Sequence, residues 1–270
     1  MRAFADGVQQ LVSKRQLERY RVKVGNESIA NVPVRTFVPA DASLRARDAV
    51  LLNLHGGGFM LDSGSLTENI PIAALTRVKI VSVLYRLAPE HPFPAAVDDV
   101  IAVYRELLKT YRPDRIVLYG TSAGATLSAE VLVRASATGL AMPAALGFFS
   151  SSADFSKSGD SEQYLPKVNG KCMQDLLSPY AASAERRTPA LSPLYADVSR
   201  FPPSLLVAGT RDPLLSQTTL FHRALLRKGV DARLVVFEAM PHAHWAWLDI
   251  PESYEAFEMM AEFFNRRLFP

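Results

Sequence analysis

Short runs of apolar and β-branched residues alternate with segments of helical periodicity from about residue 49 to the end of the chain. This alternation is typical of parallel strands joined by crossover helices. Six of the runs are apolar almost throughout, as expected of strands that are buried on both faces of a sheet. The predicted strands cover residues 49–54, 79–84, 115–119, 144–149, 204–208 and 232–237.

Two earlier runs, 18–24 and 32–38, alternate more openly and are separated by the turn-like Gly25-Asn26-Glu27. They predict an antiparallel pair at one edge, which gives eight strands in a mostly parallel sheet. Apolar residues at helical spacing predict helices over 95–111, 126–136, 214–228 and 252–268. The predicted fold class is therefore α/β, with a single domain over residues 1–270.

Two segments do not fit the alternation. Residues 2–14 predict a short amphipathic helix, and residues 155–203 are polar, contain proline and are partly helical around 173–182. An insertion of this length between two strands favours a functional role over a simple connection. We therefore expect segments 1–15 and 155–203 to lie over the end of the sheet as cap elements.

Composition narrows the classes of partner. The chain has 30 Lys plus Arg against 27 Asp plus Glu, and its basic residues are scattered, so no nucleic-acid surface is indicated. The single cysteine, Cys172, excludes an internal disulfide and fits a reducing compartment. Charged residues leave no room for a signal-peptide core among the first twenty, and no stretch predicts a membrane span. These features predict a cytoplasmic protein.

Gly120-Thr121-Ser122-Ala123-Gly124 matches the pattern G-x-S-x-G at the junction of a predicted strand and helix. In such a turn the serine adopts a strained backbone conformation, and the flanking glycines avoid collisions with the strand and helix. The alternative is that five small residues form an ordinary turn, and only the surrounding sequence can separate the two interpretations.

A nucleophilic serine needs a base and a carboxylate that orients the base. Asp212 follows the strand predicted over 204–208, and His242 and His244 follow the last predicted strand. A single loop aspartate is usually a turn or cap residue, but three such residue types at strand ends predict a catalytic triad. On an extended segment the two histidines would point the same way, which leaves a metal-ligand interpretation open.

His55-Gly56-Gly57-Gly58-Phe59 follows the first strand of the parallel set. Glycines leave backbone N–H groups accessible to a ligand, so we predict an oxyanion hole formed by the N–H groups of Gly57, Gly58 and Ala123. A phosphate-binding loop is the rival interpretation, but the spacings G-K-[ST] and G-x-G-x-x-G are both absent.

Together, His55–Phe59, the string at 85–96 (Tyr-Arg-Leu-Ala-Pro-Glu-His-Pro-Phe-Pro-Ala-Ala), the 120–124 motif, Asp212-Pro-Leu and His242 resemble the bacterial hormone-sensitive-lipase-like esterases of the α/β-hydrolase fold. The resemblance runs from about residue 15 to the carboxyl terminus. It implies a carboxylesterase that acts on short-chain acyl esters without a metal or cofactor. It also implies Ser122 as the nucleophile, His242 as the base and Asp212 as its partner.

Two departures from the family pattern matter. Thr121 stands where many members have aspartate, which resembles a branch of the family that often forms dimers. The segment before His55 is short for this family, which implies a reduced helical cap, a more open pocket and apolar surface that a homodimer would cover.

Two alternative functions stay open. The same residues could hydrolyse a lactone, a carbamate or an acetylated sugar. A non-catalytic binding protein is the other class, because plant gibberellin receptors resemble this family and lack the catalytic histidine. Since His242 is present here, turnover is favoured over binding alone.

Overall fold

Eight strands form one sheet in a computed structural model that describes residues 2–41, 47–164 and 177–270. The strand order is β1-β2-β4-β3-β5-β6-β7-β8. The β1–β2 and β2–β4 pairs are antiparallel and all other neighbours pair in parallel. The strands are β1 (Val22–Ile29), β2 (Val32–Pro39), β3 (Val50–Leu54), β4 (Lys79–Val83), β5 (Ile116–Thr121), β6 (Ala145–Phe149), β7 (Ser204–Arg211) and β8 (Ala232–Pro241). The predicted eight-stranded, mostly parallel sheet is confirmed.

Nine α-helices lie in the described part of the chain. They are α1 (Arg2–Arg19), α2 (Ser65–Thr76), α3 (Ala95–Thr110), α4 (Ala123–Ala137), α5 (Ser161–Tyr164), α6 (Ser178–Ala181), α7 (Leu215–Arg227), α8 (His244–Trp247) and α9 (Pro251–Leu268). The four helices predicted over 95–111, 126–136, 214–228 and 252–268 correspond to α3, α4, α7 and α9.

Alternate side chains of the central strands enter two separate apolar clusters. Leu52 and Leu118 pack with residues of α3, α4 and α7, whereas Leu51 and Val117 pack with residues of α2 and α9. Because both faces of the sheet are covered, these strands are apolar at nearly every position.

Helix α2 was not predicted from the sequence. It contains Pro71, and its buried side chains include the polar Glu68 and Asn69, so it lacks a clean apolar stripe. Asn69 donates to Asn53 Oδ1 over 2.9 Å and accepts a hydrogen bond from the hydroxyl of Tyr119. Buried polar partners from β3 and β5 therefore replace the apolar contacts that a periodicity search detects.

The predicted first strand, 18–24, is wrong in position. Glu18 lies in α1, and Gly25-Asn26-Glu27, expected to be a turn, lies inside β1 opposite residues 34–36. The turn instead falls at Ala30-Asn31, where both residues have positive φ, 51° and 63°. A two-residue hairpin with this backbone matches the twist of its strands, and cross-strand pairing outweighs the turn-like composition of 25–27.

Helix α1 is longer than the amphipathic helix predicted over 2–14 and packs on α2. Gln9 fixes this contact, because its side chain donates to the carbonyl of Asp62 over 2.9 Å and accepts from the N–H of Leu66 over 3.0 Å.

The second predicted cap segment, 155–203, contains α5, α6 and a short 3₁₀ turn at Pro193–Tyr195. Residues 165–176 lie outside the described residues, together with Cys172 and the first part of the helix expected around 173–182. The assignment of 1–15 and 155–203 as cap elements of a single domain stays a prediction. In the described ranges, no helix combines the length and apolarity needed to cross a membrane.

The β1–β2 turn gives a test of backbone strain. Ala30 is exposed and has a positive φ that costs an alanine about 1 kcal/mol, whereas asparagine tolerates this region. We expect Ala30→Asn to raise the free energy of unfolding by up to about 1 kcal/mol in urea denaturation. Ala40→Asn, at an exposed alanine without positive φ, is the control and should bring no gain.

Candidate active site

The turn between β5 and α4 carries Ser122 in a strained conformation, with φ 56° and ψ −126°. Few residues other than glycine adopt a positive φ, so the surrounding structure must hold it. The N–H of Ser122 donates to the carbonyl of Phe149 over 2.8 Å, and the carbonyl of Ser122 accepts from the hydroxyl of Ser151 over 2.6 Å. Ser122 therefore stands at a fixed position at the end of β5.

The two glycines of the motif are required by close approach of the backbone. A Cβ on Gly124 would lie 1.9 Å from the carbonyl oxygen of Leu54, and one on Gly120 would lie 2.5 Å from the carbonyl oxygen of Gly124. No side chain fits at these distances, so this structure gives the steric reason for G-x-S-x-G that the sequence predicted.

Asp212 and His242 meet at the ends of β7 and β8. The Nδ1 of His242 donates to Oδ1 of Asp212 over 2.9 Å, and the N–H of Leu214 donates to the same oxygen over 2.9 Å. Asp212 is 0% exposed, whereas the side chain of His242 is 27% exposed. Because a carboxylate can only accept, Nδ1 carries the proton and Nε2 is free to accept one.

The loop after β6 connects the His242 loop to the turn that carries Ser122. The Ser151 hydroxyl bonds the carbonyl of Ser122, and the hydroxyl of Ser150 accepts from the N–H of Ala243 over 3.3 Å, beside His242. The structure thus brings Ser122, Asp212 and His242 to the carboxyl ends of three parallel strands. Sequence reasoning missed the two serines, whose only signal is their position directly after a buried strand.

In the Asp212–His242 pair, each charged group stabilises the charged form of the other, which burial alone would disfavour. Burial alone raises the pKa of Asp212, but the nearby His242, through its charge and hydrogen bond, holds that pKa below its ordinary value. Burial likewise lowers the pKa of His242, and Asp212 outweighs it, so the pKa of His242 lies above its ordinary value. The imidazole is therefore a stronger base than a free histidine.

The glycine loop after β3 lies directly against Ser122, because a Cβ on Gly56 would be 3.5 Å from the Cβ of Ser122. Gly57 and Gly58 have positive φ, 118° and 61°, and a Cβ on Gly57 would be 1.9 Å from the carbonyl oxygen of Leu61. Within the described residues, the N–H groups of Gly57 and Gly58 bond no backbone carbonyl. Ala123 begins α4, so its N–H has no partner within the helix.

Tyr85, the first residue of the 85–96 string, supports this loop. Its ring stacks on His55 with centroids 4.2 Å apart, and its hydroxyl donates to the carbonyl of His55 over 2.6 Å. The string thus holds the glycine loop in place through Tyr85.

An aromatic cluster follows the glycine loop and was not predicted from the sequence. Phe59 stacks on Tyr180 with ring centroids 3.6 Å apart, and Phe155 and Phe93 contact Tyr180. These residues are distant in sequence and converge only when α6 folds over the loop, so no local pattern indicates the cluster.

His244 does not share the environment of His242. The chain is not extended here, because Ala243 has φ 50° and α8 begins at His244. The ring of His244 is fully buried beside Phe237 and Trp245, and burial lowers its pKa. Among the residues that the structure describes, no group of His, Cys, Asp or Glu side chains is placed to hold a metal ion.

Comparison with known proteins identifies the fold. A family model described as the α/β-hydrolase fold matches residues 51–246. An acetyl-hydrolase from Streptomyces hygroscopicus is 31% identical over 221 residues, which cover 79% of this chain and 74% of that protein.

Two crystal structures cover nearly the whole chain. The esterase E25 is 32% identical, with a TM-score of 0.86 over 98% of this chain and 86% of its own. A hormone-sensitive lipase from a metagenome library is 29% identical, with a TM-score of 0.87 over 99% of this chain and 93% of its own.

Asp212→Asn tests the charge coupling in the pair. Without the carboxylate the pKa of His242 should fall, so the rise of kcat/KM with pH should move to lower pH. The magnitude of kcat/KM should also fall by roughly 10³–10⁴-fold, since the imidazole loses its orienting acceptor. Asp99→Asn, at a buried aspartate that pairs with Arg86 instead, is the control for the pH profile. An unshifted profile in Asp212→Asn would contradict the coupling.

Proposed function

Because this chain belongs to the α/β-hydrolase-fold family and is a carboxylic ester hydrolase, we propose that it is a serine esterase that cleaves short-chain acyl esters through an acyl-enzyme intermediate. The resemblance to bacterial hormone-sensitive-lipase-like esterases that the sequence predicts is confirmed by the family model and by the solved relatives.

In the proposed reaction, the hydroxyl of Ser122 attacks the ester carbonyl while Nε2 of His242 takes its proton. Asp212 stabilises the resulting imidazolium through the 2.9 Å hydrogen bond to Nδ1. His242 then donates the proton to the departing alcohol, which leaves the acyl group on Ser122. Water, activated by the same imidazole, hydrolyses this acyl-enzyme and restores the serine.

Negative charge develops on the carbonyl oxygen in each tetrahedral intermediate. We assign its stabilisation to the N–H groups of Gly57, Gly58 and Ala123, which have no competing backbone partner in the described chain. Such fixed donors need no reorganisation during the reaction, and each typically contributes roughly a hundred- to a thousandfold to turnover.

The observation that carries the proposal is the Asp212–His242 hydrogen bond at the same edge of the sheet as a serine held at positive φ. A protein that only binds a small molecule needs neither a strained serine nor a base with a raised pKa. This pair therefore favours turnover over the binding-protein alternative.

Short acyl chains are favoured by the aromatic cluster next to the glycine loop. We assign the closed end of the acyl site to Phe59, Phe155 and Tyr180, which are fully buried and packed against one another. The name of the Streptomyces relative, acetyl-hydrolase, is in keeping with a small acyl group. Lactones, carbamates and acetylated sugars would use the same residues, and the homodimer and cytoplasmic location stay predictions.

Ser122→Ala tests the nucleophile. We expect it to abolish hydrolysis of p-nitrophenyl butyrate and covalent labelling by a fluorophosphonate probe, because both reactions need the activated hydroxyl. Ser136→Ala, at the far end of α4, should keep both. Near-normal turnover in a folded Ser122→Ala protein would refute the assignment, and an unlabelled wild type would favour the binding-protein alternative.

A series of p-nitrophenyl esters tests the acyl preference. kcat/KM should be highest for acetate and butyrate and should fall steeply from octanoate onward, because the packed aromatic side chains limit the length of the acyl site. Phe155→Ala should extend the range toward longer chains by opening the cluster. A wild type that prefers dodecanoate would contradict the short-chain proposal.

A further inference from the structure

A carboxyl group is buried behind the candidate active site without a role in the mechanism above. Glu68 lies in the first turn of α2 and is 2% exposed. The preceding loop closes over it, since a Cβ on Gly64 would lie 3.0 Å from Oε1 of Glu68. Burial of a carboxyl group is unfavourable unless the group has polar partners, so Glu68 needs such partners among its neighbours.

Thr121 and Trp245 are the polar neighbours of the Glu68 carboxyl group, and the hydroxyl of Thr121 is buried without another hydrogen-bond partner among the described residues. Thr121 is the buried last residue of β5 and directly precedes Ser122, while Trp245 is buried in α8, three residues after His242. Trp245 is held in turn by edge contacts with His244 and Phe149. One carboxyl group therefore touches both the nucleophile turn and the segment that presents the base.

We propose that Glu68 is a positioning residue of the esterase site, holding the Ser122 turn and the His242 loop in register through Thr121 and Trp245. This inference rests on the proposed function, because it concerns the alignment of that same serine and histidine. Glu68 itself touches neither the substrate nor the reacting atoms.

The protonation state of Glu68 follows from its surroundings. Burial raises its pKa to about 8, and the charge of Asp62 opposes ionisation while that of His242 favours it. Tyr119, also buried nearby, has its pKa raised by burial and by Glu68. Glu68 is therefore neutral at pH 7, and a neutral carboxyl group can donate one hydrogen bond and accept another.

Ionisation changes both the contacts and the charge of this site. Above pH 8 the carboxylate can only accept hydrogen bonds, so it can no longer donate to a neighbour, and its charge raises the pKa of His242 further. We expect the wild-type kcat to fall as pH rises through this range, because the two loops lose a shared anchor.

Glu68→Gln and Glu68→Ala separate the effect of ionisation from the effect of losing the side chain. Glutamine has the size and the donor–acceptor pair of the neutral acid but does not ionise. Glu68→Gln should keep kcat at pH 7 within about threefold and should lose the decline above pH 8, whereas Glu68→Ala should lower kcat roughly 10–100-fold with little change in KM. p-Nitrophenyl butyrate is the substrate, with spontaneous hydrolysis subtracted at each pH.

Stability gives a second measurement. Because the folded-state pKa of Glu68 lies above its ordinary 4.5, the folded protein binds the extra proton, and stability falls as pH rises from about 4.5 to 8. The difference in Tm between Glu68→Gln and the wild type should therefore move in favour of Glu68→Gln as pH rises through this interval. Glu130→Gln is the matched control: Glu130 is also a buried glutamate, but it bonds the hydroxyl of Tyr180 over 2.6 Å. That variant should leave the alkaline decline of kcat in place.

The outcomes distinguish this inference from the proposed function. A wild type that neither turns over nor reacts with a fluorophosphonate overturns both. An active, labelled wild type whose alkaline decline persists in Glu68→Gln overturns the role of Glu68 alone. If Glu68→Ala does not fold, the pH profile and Tm of Glu68→Gln still decide the question.

Discussion

The hydrogen bond between Asp212 and His242 is the interaction on which the rest of the site depends. A buried carboxylate is strongly unfavourable alone, and removing its partner from such a pair costs more than the pair contributes. Here the imidazole and the N–H of Leu214 both stabilise Asp212. The requirement to satisfy this charge fixes the loops after β7 and β8, and the position of those loops fixes the imidazole of His242.

The sheet supplies the alignment that this pair requires. β5, β6, β7 and β8 run in parallel, so their carboxyl ends lie at one edge. The residues directly after those ends, Ser122, Ser150, Asp212 and His242, then need only short loops to meet. Ser150 bonds the segment after His242 and Ser151 bonds Ser122, which makes the loop after β6 a structural member of the candidate site.

Much of this arrangement could be predicted because it is encoded locally. Continuous apolar runs identified the strands, and the glycines at 120 and 124 identified the turn. Glycine is required at both positions because a Cβ there would lie within 2.5 Å of a backbone oxygen. What could not be predicted depends on contacts between distant segments. Helix α2 is stabilised by buried polar partners, Glu68 acts on residues from β5 and α8, and Phe59 meets Tyr180 only in the folded chain. The hairpin turn at Ala30-Asn31 was missed because strand pairing, and not composition, selects its position.

The contact between Gly124 and the carbonyl of Leu54 ties the end of β3 to the start of α4. The segment that carries the glycine loop and the one that carries Ser122 are thereby in direct backbone contact, so a shift of one would displace the other. We therefore expect variation of substrate range to arise away from this contact, in the described segments 155–164 and 177–203, and a programme of directed evolution would find its tolerated changes there.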